Sequence, residues 1–355
     1  MRLLITGICG FVGSAVAETL LERRPGLSIA GVDNLMRPGS EGNRLRLGRM
    51  GVTVFHGDLR QPSDLEPLPA ADWVIEAAAQ PSVLAGVQGA FSSRRLFEHN
   101  LVGLGNVLEL CKDTRAGLVL LSSSRVYSIP ALQSLPLRDA GNAFQLDVSQ
   151  PFPRGVSAQG IGRDFSTSSP ISLYGSTKLA AEALAIEWGA AFGFPVWIDR
   201  CGVLAGPGQF GTPDQGIFSY WINAHLRRQP LRYIGFGGEG KQVRDALHPR
   251  DLATLLDSQM TAARVDGQRL YTAGGGIANS LSLAQLTDWC DAAFGPHRPE
   301  PDARERPYDV PWVAMDSQEA ERDFGWAVET PITGILQEIA AHAVANPDWL
   351  ERSGL

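Results

Sequence analysis

The stretch Arg2-Leu3-Leu4-Ile5-Thr6-Gly7-Ile8-Cys9-Gly10-Phe11-Val12-Gly13 decides how the rest of the chain is read. An apolar run of strand length, 2–6, enters a turn that carries three glycines. It leaves as a helical pattern over 12–24. Such a turn needs glycine for separate reasons. The first makes the tight turn, the second lets the backbone approach a pyrophosphate, and the last lets helix and strand pack closely. A helix that starts here offers free N–H groups and the positive end of its dipole to phosphates. The spacing is GxxGxxG, not GxGxxG. Alone it would fit a purely structural turn; between a strand and a helix it reads as a dinucleotide loop.

Working outward, short apolar runs recur at 28–33, 52–56, 73–77, 118–122 and 196–200. Continuous apolar runs suit strands buried on both faces. Helical patterns at 94–111 and 173–192 lie between them. This alternation predicts an α/β fold: a Rossmann-type, doubly wound parallel sheet. The Rossmann domain is expected over 1–200, with 235–265 returning to it. A smaller, mixed C-terminal substrate-binding lobe is expected over 201–234 and 266–355, with helices at 217–228, 284–294 and 332–344. Residues 133–169 are rich in Pro, Ser, Gly and Gln and too long for a simple connection, so they are expected to form a lid or substrate loop.

Asp33 ends the second run, twenty positions after Gly13. A carboxylate there accepts hydrogen bonds from the ribose hydroxyls of NAD and repels the extra phosphate of NADP, so NAD is the expected cofactor. A plain turn aspartate is the alternative. Asp58-Leu59 follows the third run, where a carboxylate can meet the adenine amino group or cap a helix. Ala77-Ala78-Ala79 leaves room for a dinucleotide or simply packs closely.

Tyr174-Gly175-Ser176-Thr177-Lys178 places a phenol and an ammonium one helical turn apart on one face. A nearby ammonium favours the phenolate. The tyrosine then serves as general base when a hydroxyl is oxidised and as acid when a ketone is reduced. Ser122-Ser123-Ser124 ends the fifth run, at the strand end where open α/β sheets bind ligands. A cap or turn is the bland reading of that triplet.

With these motifs in this order, the chain resembles, over nearly its whole length, the extended short-chain dehydrogenases that epimerise, dehydrate or decarboxylate nucleotide sugars. Ser123, three positions before Val126-Tyr127, matches that family's catalytic hydroxyl, beside Tyr174 and Lys178. The resemblance implies NAD held by Gly7, Gly10, Phe11, Val12, Gly13, Asp33, Asn34, Asp58, Leu59, Ala77, Ala78, Ala79, Asn100, Tyr174, Lys178 and Arg200. It implies substrate contacts at Ser124, Gln215, Arg244, Arg304 and Arg306, with Arg244 on the diphosphate. Asp33-Asn34-Leu35 with Arg37 and Gly39, Asp214-Gln215-Gly216, the run 240–248 and Asn279-Ser280-Leu281-Ser282-Leu283 are most similar to the CDP-tyvelose (CDP-paratose) 2-epimerase branch.

Two positions depart from the family pattern. Ser124-Arg125 stands where the dehydratases carry an Asp-Glu pair, which argues against water elimination. Pro311 stands where some relatives carry an arginine, leaving Arg304 or Arg306 to replace it. The implied activity is epimerisation through a transient keto sugar, C2 ahead of C4. A decarboxylase, dehydratase or reductase on the same scaffold, or a non-catalytic NAD-binding regulator, are the rival readings.

The formal net charge of −7 and a pI of about 5.4 argue against a dedicated binder of nucleic acid or anionic membrane. Cys9, Cys111, Cys201 and Cys290 are scattered without a CxxC pair, so no metal site and no disulfide are expected. No apolar run reaches the length of a membrane span. A cytoplasmic location and a homodimer are the corresponding expectations. Apolar stripes at 96–110 and 179–188 supply either the dimer face or internal core, and Trp188, Trp197 and Trp221 read as packing.

Overall fold

The computed structural model describes residues 1–87, 92–262 and 269–354. Seven parallel strands form the main sheet: β1 (Arg2–Thr6), β2 (Ser28–Asp33), β3 (Thr53–His56), β4 (Trp73–Glu76), β5 (Gly117–Ser123), β6 (Val196–Cys201) and β7 (Leu270–Ala273). Their order is β7-β6-β5-β4-β1-β2-β3. The chain runs outward from β1 through β2 to β3, then crosses to β4 on the other side of β1. The gap between β1 and β4 is therefore the point where the topology reverses, and the glycine turn leaves β1 there.

Eight principal helices accompany the strands. They are α1 (Phe11–Arg23), α2 (Ser40–Arg49), α4 (Leu173–Phe192), α5 (Ile217–Leu226), α6 (Pro249–Thr261), α7 (Leu283–Phe294), α8 (Ile332–Ala345) and a compound α3. The last runs over Ser93–Phe97, widens into a π turn at Glu98–Val102 and continues over Gly103–Thr114. Successive side chains of β1 point to opposite faces. Leu3 and Ile5 pack with Val16 and Leu20 of α1 and Leu252, Leu255 and Leu256 of α6. Leu4 packs on the other side with Leu104, Val107 and Leu108 of α3 and Ala181 and Ala185 of α4. Both faces are thus covered, as a parallel sheet requires. Each fully buried leucine contributes roughly 1.5–3 kcal/mol.

The second lobe is built around Val243–Leu247. That strand pairs in parallel with Val203–Leu204 and Trp312–Val313 and antiparallel with Ser280–Ser282. Helices α5, α7 and α8 cover it through Phe218, Trp221, Ile222, Leu286, Ile335 and Ile339.

Three boundaries differ from the sequence reading. Residues 235–248 belong to the lobe; only α6 returns to the Rossmann sheet, while 263–265 lie outside the described residues. Strand β7, expected in the lobe, is the edge of the main sheet and pairs with β6 through Ile198 and Leu270. The helix Gln318–Phe324 follows it back, with Phe324 set edge-on to Trp197 at 5.4 Å. These segments are too short for periodicity to distinguish their partners; complementary apolar faces decide.

Residues 133–169 are the third difference. They form two small hairpins, Leu137–Asp139 with Phe144–Leu146 and Val156–Ser157 with Gly160–Ile161. Leu135, Leu146, Ile161 and Phe165 are buried against Trp312, Val313 and Met315. The Ile161 N–H donates to the Ala314 carbonyl at 2.8 Å. None of these residues lines the main cavity, so the segment braces the lobe instead of forming a lid.

Candidate active site

A cavity of about 970 Å³ runs from the glycine turn to Trp221 and Arg232 in the lobe. Its first end is made by the C-terminal ends of β1 to β4. Gly7 has φ +61°, and a Cβ there would lie 2.8 Å from Ala78 Cα. A Cβ on Gly13 would lie 2.4 Å from the Gly7 carbonyl oxygen. These contacts explain the glycines and the small residues at 77–79 together: the backbones touch.

Gly10, Phe11, Val12 and Gly13 line the cavity, and no side chain caps α1. An uncapped helix N-terminus facing a cavity suits the pyrophosphate of a dinucleotide. Asp33 accepts hydrogen bonds from the N–H groups of Cys9 at 2.9 Å and Leu35 at 2.8 Å. Burial raises its pKa against those bonds. Asp58 is gripped by Arg60, with Nε–Oδ1 2.9 Å and Nη2–Oδ2 2.6 Å, and Asn34 adds a longer bond at 3.4 Å. The Arg60 bond holds the Asp58 carboxyl down at about 2. Asn34, Leu59, Ala77, Ala78 and Ala79 line the same end. The residues present fit NAD.

At the middle of the cavity stand Ser123, Ser124, Tyr174 and Lys178. Ser172 caps α4 by accepting from the Gly175 N–H at 3.1 Å, which sets Tyr174 in the first turn. The Lys178 ammonium donates to the Leu121 carbonyl at the end of β5, at 2.8 Å. It also faces Glu76, whose pKa is raised by burial and opposed by that ammonium. Serine, phenol and ammonium thus meet at the C-terminal end of β5. A hydroxyl donor or acceptor, a proton-transferring phenol and a fixed cation can interconvert a carbinol and a ketone.

Two residues expected on the cofactor do other work. Asn100, in the π turn of α3, does not line the cavity. Its Oδ1 accepts from the Gln80 N–H at 2.8 Å, and its Nδ2 donates to Thr177 Oγ1 at 3.0 Å. It clamps the 77–80 segment to α4. Arg200 is also off the cavity. It forms a buried pair with Glu182, Nε–Oε1 2.9 Å and Nη2–Oε2 2.7 Å, and donates to the Arg163 carbonyl at 2.9 Å. Ser122 donates to the same carboxylate at 2.5 Å. A guanidinium so engaged ties α4 to β5 and β6 and leaves no fork for a ligand.

At the lobe end, Arg244 donates to Asp309 at 3.1 Å and to the Val310 carbonyl at 2.8 Å. Arg306 donates to Asp214 at 2.9 Å. Gln215 accepts from Arg37 at 2.9 Å. All three expected residues line the cavity. Arg304 does not; its side chain is 75 % exposed and paired with Asp302 outside. The turn at 303–309 carries Arg306 inward and Arg304 outward, so Arg306 alone stands where the choice between them was open.

Sequence reasoning met Arg37 and Arg125 only within motifs and gave them no site role, and it passed over Arg60, Gln80 and Tyr308, all of which line the cavity, and the buried Glu76 that faces Lys178. Arg60 had a signal, since it directly neighbours Leu59. Trp221, read as packing, stacks on Tyr233 with centroids 5.5 Å apart and also lines the cavity, as does His99. His248 caps α6 by accepting from the Arg250 N–H at 3.0 Å.

Known proteins are similar over most of this chain. The profile of the NAD dependent epimerase/dehydratase family matches residues 3–274. CDP-paratose 2-epimerase of Salmonella typhi is 29% identical over 303 residues, 82% of this chain and 85% of that protein. UDP-glucuronate 4-epimerase of Thermodesulfobacterium geofontis (strain OPF15) is 25% identical over 344 residues, 93% and 92% of the two chains. The crystal structure of UDP-glucuronic acid 4-epimerase from Bacillus cereus, in complex with UDP-glucuronic acid and NAD, superposes with a TM-score of 0.78. It is 20% identical and covers 97% of this chain and 99% of that one. With the glycine turn, the Tyr174/Lys178 pair and the matched span in agreement, the chain belongs to the NAD dependent epimerase/dehydratase family.

Proposed function

We propose that this chain inverts C2 of a nucleotide-activated sugar through a transient keto sugar, with C4 the next candidate. One observation carries the reading: Ser123, Tyr174 and Lys178 stand midway in a cavity that has a dinucleotide cradle at one end and Arg244 and Arg306 at the other. NAD, when bound, accepts a hydride from the sugar carbon and gives it back.

Tyr174 takes the proton of the reacting hydroxyl and returns it, while Ser123 orients the oxygen. Lys178 supplies a fixed positive charge beside them. Arg244 and Arg306 hold the diphosphate, and Ser124 and Gln215 meet the substrate between the two ends. That remote grip lets the sugar turn without leaving. Ser124-Arg125 offers no carboxylic acid for elimination, which supports epimerisation over dehydration. The motif likeness and the CDP-paratose 2-epimerase relative favour C2.

A cytoplasmic homodimer is part of the same reading. Most of the apolar stripes at 96–110 and 179–188 is internal core, Leu104, Val107, Leu108, Ala181 and Ala185 among it; what remains for a dimer face is Phe97 and Val102 in the first stripe and Phe192 beyond the second, 40–54% accessible. Light scattering of the purified protein tests it.

The activity is tested by proton NMR in D₂O with CDP-, UDP-, GDP- and dTDP-sugars and no added cofactor. A new stereoisomer without deuterium at the inverted carbon is expected. A 4-keto-6-deoxy product carrying solvent deuterium would show elimination and overturn the reading.

A further inference from the structure

Arg125 is joined through its backbone to Ser123 and to the helical turn that carries Tyr174. Its N–H donates to Ser123 Oγ at 3.2 Å. Its carbonyl lies against the first turn of α4, where a Cβ on Gly175 would sit 2.2 Å from the oxygen. Only glycine after Tyr174 permits that approach. Arg125 also lines the cavity.

The charges around it do not balance. Tyr174, Arg244, Arg306 and Asp309 face Arg125. Asp309 is bound to Arg244 at 3.1 Å and Arg306 to Asp214 at 2.9 Å. Arg125 forms no ion pair among the described residues. Its hydrogen bond to the Tyr308 carbonyl is long, 3.5 Å. Tyr308 itself sits at φ +60°, a left-handed conformation that a non-glycine residue adopts at a cost. Burial and the neighbouring Arg244 bring the guanidinium down to about 10, so it stays charged at neutral pH. A half-buried cation without a carboxylate partner is unfavourable unless a ligand completes it.

We propose that Arg125 is a catalytic residue whose guanidinium binds the sugar oxygen being oxidised together with the adjoining phosphate. The proposal rests on the C2 reading. The C2 oxygen is on the carbon next to the one that bears the diphosphate. Negative charge that develops on it is repelled by the phosphate at short range. A planar guanidinium fork can serve two neighbouring oxygens at once and offset that repulsion. Arg125, placed between Tyr174 and the Arg244/Arg306 end, has the position for it. When the hydroxyl is oxidised, its O–H proton passes to Tyr174, the C–H electron pair leaves with its hydrogen to NAD, and the C=O bond forms; reduction reverses each transfer.

The test compares Arg125→Gln and Arg125→Lys with the wild type on the sugar it turns over. Retained NAD and thermal melting check folding, and calorimetry measures affinity for the nucleoside diphosphate alone. R125Q is expected to lose roughly 100- to 1000-fold in kcat, as for loss of a donor to a developing oxyanion. Its kcat–pH profile is expected to shift to higher pH, with nucleoside diphosphate affinity lowered far less than kcat, and with R125K, which keeps the charge but lacks the fork, recovering only part of the rate. A C2 product with R125Q kcat within about threefold of wild type overturns the role of Arg125 and leaves the C2 reading standing. Loss confined to nucleoside diphosphate affinity overturns it likewise. A C4 product overturns the C2 reading and the bridging together, because the C4 oxygen lies across the ring from the phosphate.

Discussion

The glycine-turn end of the cavity and the lobe end differ in how far apart their lining residues lie along the chain. The first draws on 7–13, 32–34, 57–60 and 77–80, each the end of one strand of one parallel sheet. The second draws on 209–221, 230–234, 242–244, 281–286 and 306–309, from elements that meet only when the lobe closes on Val243–Leu247. At the first end, backbone contact dictates residue type locally. At the second, side chains from distant segments answer one another: Arg244 with Asp309, Arg306 with Asp214, Arg37 with Gln215. The proposed catalytic group, Ser123, Tyr174 and Lys178, stands at the seam.

The largest effect should come at that seam. Tyr174→Phe is expected to cut kcat by about 10²–10⁴-fold, as for loss of a general acid–base group, with bound NAD unchanged. Steady-state assays and the absorbance of released cofactor check both. Loss of NAD from this variant would break the division between the two ends.

Arg244→Ala tests the lobe end by itself. It removes a cation and leaves Asp309, only 15 % accessible, without its partner. KM is expected to rise roughly 100-fold, with a smaller change in kcat. Equal losses in kcat and kcat/KM would mean that this end acts on the reacting carbon.

Gly175→Ala probes the contact that ties the seam to β5. The added methyl meets the Arg125 carbonyl, which belongs to backbone and cannot swing aside. A loss of about 1–3 kcal/mol in urea unfolding is expected, together with lower kcat.

A pH effect separates the lobe's frame from its ligand groups. Asp245, in Val243–Leu247, is fully buried; burial raises its pKa to about 6 against bonds from Met315 and Gly276 N–H groups. Between about pH 4 and the folded value, the folded chain holds this proton and the unfolded chain has lost it. The contribution is thus present below pH 4 and lost as pH rises through 6, by roughly 3 kcal/mol in all. Asp245→Asn should flatten that slope in urea titrations at pH 4.5 and 7.5. An unchanged slope would place the titration elsewhere, Asp199 being the next candidate.

The smallest effect sharpens the choice between two arginines. Arg304→Ala should leave KM within about twofold, because its guanidinium is outside the cavity. Arg306→Ala should raise it several-fold. Calorimetry with a nucleoside diphosphate checks both.

What the chain's order of residues determined was the fold and the cofactor end. Glycine at 7, 10 and 13, Asp33 and Ala77–79 are required by backbone proximity and by the strand-to-helix turn. Such constraints act over a few residues and leave a readable spacing. Tyr174 and Lys178 were legible for the same reason, one helical turn apart. Tertiary structure alone decided that Arg200 turns under the sheet to Glu182, that Asn100 clamps Gln80 and Thr177, that Arg306 and not Arg304 reaches the cavity, and that 133–169 docks on Trp312 and Met315. Nothing in an arginine's local sequence says which carboxylate it will meet. That is settled by packing between segments 18 to 92 residues apart, where long flexible side chains can take either direction and only the neighbours exclude one.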